Sequence, residues 1–323
     1  MPRARYFSSL MLLCGLLAIP VDAAARRIEL PNGDLYDGDV RDGFRTGDGV
    51  YLWADGHRYD GEFLNNRMHG AGVYHWPDGR TYTGDFVNDR REGRGLLRWP
   101  NGDSYDGEFE DNQMHGQGTF SWANGDVYSG TFLAGKRTGK GEFTWGTGER
   151  YVGDFRDGDL HGRGAFHWPD GRRYEGRFET GAKTGVGVFH WPNGNRYIGH
   201  FANDARDGIG LFYWRDGTLY RGQFAGNKMD GYGIKQSPEG AMELQRWQSG
   251  SLTLTRPLEA VPRCALTIDE RPWMFEAESC INGLAHGRGF AASLDGEQIV
   301  VNGHFVLGHL VDGNVQVLRP QES

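Results

Sequence analysis

The chain has 323 residues, of which 52 are glycine and 13% are aromatic. That much glycine is typical of collagen, of disordered chains or of repeats, but no Gly-X-Y triplet recurs and ten tryptophans are too many for a solvated chain. The formal net charge of −8 gives no reason to expect nucleic acid or an anionic membrane as the ligand. A repeat protein is therefore the expected class.

Residues 1–25 have the features of a secretory signal. Two arginines near the N-terminus precede an apolar run over 10–19, and small residues follow at Ala23 and Ala25. The run is about half as long as the roughly 20 apolar residues of a membrane-spanning helix. The sequence therefore predicts a signal peptide that is cleaved after Ala23 or Ala25, and an exported chain that is periplasmic or secreted.

Tyrosine recurs every 23 residues, nine times, from Tyr36 to Tyr220. With each tyrosine as position 0, glycine always occupies positions 2, 11, 13 and 20, while phenylalanine occupies position 4 and tryptophan position 17 in eight repeats each. A fixed period of this length indicates a repeat array in which each unit contacts its neighbours. The sequence predicts this array over residues 26–242.

Each repeat is predicted to be a β-hairpin. Positions 0 to 5 and positions 10 to 16 each alternate between the two sides, as strands with one buried face do. The register expected from this parity pairs position 4 with 11, 2 with 13 and 0 with 15, as in Phe178 opposite Gly185 and Tyr174 opposite Phe189. Glycines would then form a floor for the aromatic rings. Residues 180–183 are the predicted hairpin loop, and each Trp-Pro-Asp/Asn-Gly segment turns the chain into the next hairpin.

The spacing Tyr-x-Gly-x-Phe-x-x-Gly/Asn-x-x-x-Gly-x-Gly, as in the segment that begins at Tyr59, resembles the MORN (membrane occupation and recognition nexus) repeat. Its copies cover residues 36–242, about two thirds of the chain. The resemblance implies an all-β fold, an elongated and open single-layer sheet or solenoid of tandem 23-residue hairpins. It also implies a scaffold or protein-interaction module; lipid binding has been proposed for the family but is not general.

Residues 243–323 are predicted to be degenerate repeats that cap the array. The segment 286–289 repeats the His-Gly-Arg-Gly of 161–164, and Phe305 stands at position 4 of a last copy. An open sheet edge is an aggregation hazard, so a cap has a physical purpose. Cys264 and Cys280 are an even pair in a chain predicted to be exported, which favours a disulfide, with two free buried thiols as the alternative.

No catalytic or metal-binding grouping stands outside the repeat pattern. Histidines at positions 10 and 16, such as His167 and His190, are separated by at least about 10 Å of strand spacing, too far to share one ion. The glycines of 135–141 belong to the repeat and lack the spacing of a phosphate loop. The sequence predicts no enzyme, no cofactor and no metal site.

The aromatic side chains are the candidate binding site. They are expected to stack on one another, yet an open one-layer sheet leaves part of them exposed, which is typical of binding surfaces. The predicted groove consists of Tyr59, Phe63, Tyr82, Phe86, Tyr105, Phe109, Tyr151, Phe155, Tyr174, Phe178, Tyr197 and Phe201.

The function predicted from the sequence is a non-enzymatic scaffold or adaptor in the cell envelope. Its partner would be another protein or a second copy of the chain, and no nucleic acid is expected. A glycan- or lipid-binding module that uses the aromatic groove is the alternative. The outward positions mix acidic, basic and neutral residues without a basic stripe, so the charge pattern does not favour lipid.

Overall fold

The computed structural model describes residues 24–258 and 264–318, and these residues contain strands and turns but no helix. The predicted signal peptide lies outside the described residues apart from Ala24 and Ala25. No helix long and apolar enough to cross a membrane occurs in the described part of the chain. The chain divides into two compact units, residues 1–93 and 94–323, and each is described by itself.

The first 21 strands form one antiparallel sheet, which confirms the predicted all-β fold of tandem hairpins. The strands are β1 Ala24–Glu29, β2 Leu35–Arg41, β3 Phe44–Leu52, β4 Arg58–Leu64, β5 Arg67–His75, β6 Thr81–Val87, β7 Arg90–Arg98, β8 Ser104–Glu110, β9 Gln113–Ser121, β10 Val127–Leu133, β11 Lys136–Thr144, β12 Arg150–Arg156, β13 Asp159–His167, β14 Arg173–Glu179, β15 Ala182–His190, β16 Arg196–Ala202, β17 Ala205–Tyr213, β18 Leu219–Ala225, β19 Lys228–Gln236, β20 Met242–Gln248 and β21 Ser251–Pro257.

The hairpin turns have two residues, so the predicted four-residue loop is wrong. Thr180 and Gly181 connect β14 to β15 with φ of +45° and +85°. Positive φ at both central residues is the type I′ geometry, whose twist matches that of the flanking strands. The turn between hairpins forms as predicted: Gly79 has a φ of +90° and its N–H donates to the carbonyl of Trp76 at 3.0 Å.

Inside each hairpin the strand register agrees with the predicted pairing only in the half that lies away from the hairpin turn. Tyr174 pairs with Phe189 as expected, but a bulge then shifts the pairing, so that Phe178 lies opposite Lys183 and not Gly185. Gly185 sits in this bulge with a φ of +61°. The glycine opposite Phe178 belongs to the preceding repeat, Gly162. The predicted partner of Phe178 was therefore wrong because parity counting assumes an unbulged strand.

A second sheet follows the first. It has six strands, β22 Leu266–Ile268, β23 Arg271–Ile281, β24 Leu284–Ser293, β25 Gln298–Val306, β26 His309–Asp312 and β27 Val315–Val317. Gly287 pairs with Phe305 and Gly289 with Gly303, which is the pairing between neighbouring hairpins of the first sheet. Only β20 and β21 continue the first sheet, so the rest of the predicted cap folds as a separate layer.

The second sheet has a core of its own. Leu266, Trp273, Phe275 and Phe305 are buried there with Cys264. Cys264 is bonded to Cys280, with their Cα atoms 5.6 Å apart, so the predicted disulfide is present. The bridge ties the chain that enters the sheet to the end of β23.

Candidate functional site

Positions 0, 2 and 4 of the first strand of each repeat, together with positions 9, 11, 13, 15 and 17, form one side of the first sheet, called here the aromatic face. The tyrosines of the predicted groove are 0% exposed and its phenylalanines 3–5%. Tyr151, for example, meets Phe178 of the next repeat edge-on at 5.0 Å between ring centroids and donates its hydroxyl to the carbonyl of Asp154 at 3.0 Å. Side chains this deeply packed form a core, so all twelve residues are buried here, and their role in binding stays a prediction.

Glycines allow that packing, as the sequence predicted. A Cβ added to Gly164 would lie 2.4 Å from the hydroxyl of Tyr151, and one added to Gly153 would meet the same atom at 2.4 Å. The ring therefore rests directly on the backbone of its own hairpin. No substrate or nucleotide role is needed to explain these glycines.

The tryptophans of the aromatic face are only partly buried, as are several aromatic residues of position 15 such as Phe166. From Trp99 to Trp214 the two positions alternate in a continuous column, as in Phe166–Trp168–Phe189 with centroid distances of 4.4 and 5.4 Å. Cations at position 9 lie over these rings, and the Arg137 guanidinium is 4.9 Å from the centre of Phe143. The aromatic face is thus largely covered by its own side chains.

The alternate side chains, at positions 1, 12, 14, 16 and 22, form the other side of the sheet, called here the open face. Between residues 117 and 188 this face holds a trough with a cavity volume of about 890 Å³. Its floor is the backbone of paired glycines such as Gly153 and Gly164, and its walls include Val152, Val186 and Val188. The trough offers an incoming chain apolar side chains beside a floor of glycine backbone.

Several charged residues that line the trough are paired with residues just outside it. Lys140 Nζ lies 2.5 Å from Asp154 Oδ1. Arg150 donates two hydrogen bonds to the carboxylate of Glu142, from Nε to Oε1 at 2.5 Å and from Nη2 to Oε2 at 2.7 Å. The hydrogen bonds from Arg150 hold the pKa of Glu142 below its ordinary value. These pairs fix the side chains that border the floor.

A column of basic residues borders the trough on one side. The register places Arg150 opposite His167, His167 opposite Arg173, Arg173 opposite His190 and His190 opposite Arg196. Burial and the guanidiniums of Arg173 and Arg196 hold the pKa of His190 below its ordinary value. This arginine–histidine column is a local basic stripe that the sequence reasoning missed.

The signal for that column was present but divided between two repeat positions. Histidines at position 16 of successive repeats are about 10 Å apart by strand spacing, and the arginines that precede Tyr151, Tyr174 and Tyr197 belong to a different repeat position. The turn between hairpins brings the two positions face to face, so an arginine fills the gap between two histidines. Within the described residues no group of three or more potential metal-ligating side chains occurs.

At its C-terminal end the open face is already occupied. Tyr232 stacks on Phe290 of the second sheet at 4.4 Å between centroids, and Ile234 is buried in the same contact. Arg221 Nη1 donates to the carbonyl of Asp295 at 3.2 Å. The open face therefore packs against a β-layer of this chain immediately beyond its last uncovered repeats.

Tandem hairpins with one sealed and one open face define a β-repeat protein, and a family model identifies it further. The MORN repeat model matches residues 36–58, 59–79, 82–104, 105–127, 128–150, 151–172, 174–196, 197–219 and 220–242. The chain belongs to the MORN repeat family. No curated protein matches it.

Solved structures give only distant likenesses. The SAS-4 (dCPAP) TCP domain of Drosophila melanogaster, in complex with a proline-rich motif of Ana2 (dSTIL), is 18% identical over 47% of this chain and 83% of that one, with a TM-score of 0.33. The TCP10 domain of Danio rerio CPAP is 14% identical over 72% and 99%, with a TM-score of 0.28. Scores this low carry no statement about function.

Proposed function

We propose that this chain is a non-enzymatic scaffold or adaptor that binds another protein in the cell envelope. The trough on the open face is the observation that carries the proposal. It combines an apolar wall with a floor of paired glycine backbones. Membership of the MORN family supports a role in protein interaction.

The second sheet also supports the proposal that the open face binds protein. Its contact with Tyr232, Ile234 and Leu244 buries apolar side chains on the same side of the sheet as the trough. The open face is thus able to hold a β-layer by apolar contact, and the trough continues that face over the preceding repeats. Exposed apolar surface next to an existing contact is where a partner gains most from burial.

Affinity capture from envelope fractions tests the proposal with a matched pair of variants. Val152 lies in the trough and is 37% exposed, whereas Val87 lies outside it and is 40% exposed. The full mature chain should recover a partner in stoichiometric amount, V152D should lose it and V87D should keep it. A chain that recovers no stoichiometric partner would contradict the scaffold, and equal recovery by both variants would contradict the trough.

Export is the part of the proposal that rests on the N-terminal sequence. The arginines, the apolar run and the alanines of residues 1–25 support it. N-terminal sequencing of the chain from an envelope fraction should begin at Ala24 or Arg26. A chain that keeps Met1 and stays in the cytoplasm would contradict it.

A glycan-binding module is the second candidate, and the partly exposed tryptophan column favours it. Sugar rings stack on flat aromatic surfaces, and the partly exposed Trp122, Trp145 and Trp168 recur one repeat apart. Titration with cell-wall fragments, read by tryptophan fluorescence, should then quench or shift the emission. No response at saturating fragment would exclude this candidate.

A further inference from the structure

The arginine–histidine column has a charge balance that changes along its length. Arg150 is held bidentately by Glu142, and Arg173 pairs with Glu175. Arg196 instead lies over the ring of Tyr213, 4.5 Å from its centre, and no carboxylate of the described residues forms an ion pair with it. Unneutralised positive charge therefore accumulates toward Arg196.

The column also has a defined pitch. Arg150, Arg173 and Arg196 occupy the same position in consecutive repeats, two strands apart, which is about 9.6 Å. One turn of a polyproline II helix has three residues and rises about 9.3 Å. Every third residue of such a chain projects in the same direction, so successive third residues would meet successive arginines.

The trough beside the column suits the rest of such a chain. Val186 and Val188 line its wall next to the glycine floor. Two glutamates that line the trough form ion pairs with arginines of the column, Glu142 with Arg150 and Glu175 with Arg173. A polyproline II chain has no internal hydrogen bonds, so its backbone groups are free to meet polar groups of the trough. A flat bilayer would not reach a floor that lies inside a concave surface.

We propose that the trough binds an extended, proline-rich segment of a partner protein with a carboxylate at every third residue, seated on Arg150, Arg173 and Arg196. This inference rests on the proposed function and names the chemistry of its partner. Charge complementarity and the match of pitch select an acidic polypeptide. The acidic side chains would displace or share the existing pairing of Arg150 and Arg173 and would supply Arg196 with its counter-ion.

A labelled peptide of four Glu-Pro-Pro triplets tests the inference on the full mature chain. Two control peptides accompany it, one with glutamine in place of glutamate and one of the same composition with the glutamates adjacent. Binding is read by fluorescence anisotropy at two salt concentrations. The triplet peptide should bind at least about tenfold more tightly than either control and should weaken at the higher salt.

Arg58 provides a matched control for the column. It occupies the same repeat position as Arg173, its side chain is 44% exposed against 45%, and it pairs with Asp60 as Arg173 pairs with Glu175. The double variant R173Q/R196Q should lose about tenfold or more in affinity for the triplet peptide, while R58Q should bind it as the wild type does.

Several results would overturn the inference. Equal binding of the adjacent-glutamate peptide would contradict the pitch, and equal loss in R58Q would contradict the site. Phosphatidylglycerol vesicles that bind the chain through the same two arginines, when the peptide does not, would assign the column to a membrane. If R173Q/R196Q still captures the envelope partner that V152D loses, the proposed function stands and the acidic partner is wrong.

Discussion

Replacing Gly164 with alanine should destabilise the repeat by forcing its buried tyrosine ring out of place. The new Cβ would lie 2.4 Å from both Oη and Cε2 of Tyr151, well inside the roughly 3.5–4.0 Å of a carbon contact. The ring has no room to yield, because it is 0% exposed and its hydroxyl donates to the carbonyls of Asp154 at 3.0 Å and His161 at 3.2 Å.

The expected magnitude follows from three contributions. Overpacking costs about 1–3 kcal/mol, and displacing the hydroxyl loses about 1–2 kcal/mol of hydrogen bonding. Alanine in a strand recovers about 0.5–1 kcal/mol relative to glycine. The free energy of unfolding should therefore fall by about 1–4.5 kcal/mol in G164A.

A double-mutant cycle with Tyr151 provides the control. In the Y151A background the ring is gone, so G164A should be neutral or should stabilise by up to about 1 kcal/mol. Urea unfolding monitored by tryptophan fluorescence gives the global value, and hydrogen exchange of β12 and β13 amides reads the affected repeat itself, since repeat arrays unfold in segments. An equal loss from G164A in both backgrounds would refute a glycine floor.

Three further predictions concern a turn, the tyrosine hydroxyls and the disulfide. T180N should raise the free energy of unfolding by about 1 kcal/mol, because a β-branched residue is strained at φ +45°, and N203T at the same φ should lower it equally in urea melts. Burial raises the pKa of Tyr128 to about 12 against about 10 unfolded, so its contribution to stability should be full below pH 10 and lost as pH rises to 12, with the tyrosinate absorbance of the buried tyrosines appearing on unfolding. Removing the Cys264–Cys280 bridge with serines should cost the second sheet about 3 kcal/mol and abolish any effect of reductant on thermal melts.

The period and the direction of side chains were readable from the sequence because the repeat restates them nine times. What was not readable is where a strand departs from simple alternation. Gly185 could be assigned to the ring floor from its position alone, yet its positive φ places it in a bulge that moves Phe178 opposite Lys183. A glycine serves both purposes equally well, so its identity does not reveal the bulge.

The candidate site was missed for a related physical reason. Aromatic residues are the strongest signal in the sequence. The glycines next to them, however, leave room for the tyrosine and phenylalanine rings of the predicted groove to pack against the backbone, with only 0–5% of their surface exposed. In the sequence the arginines of the column look like ordinary solvated strand residues, and Arg173 has an acidic residue, Glu175, only two positions away. Only the pairing across turns shows that Arg173 and Arg196 flank His190.

A single-layer sheet has no second layer to cover it, so the side chains of one face must bury one another. In this chain the aromatic face is the one that is buried in this way. Position 9 completes the closure: Arg137 lies over Phe143 there, and Lys183 lies over Trp168. The proposed binding site therefore lies on the open face. The glycine floor of that face is the same in each repeat, while its side chains vary between repeats. Near β19 that face carries Tyr232 and Ile234 and holds the second sheet by apolar contact. Around β12 to β16 the same backbone carries charged walls, so it suits a charged partner that the apolar end would reject.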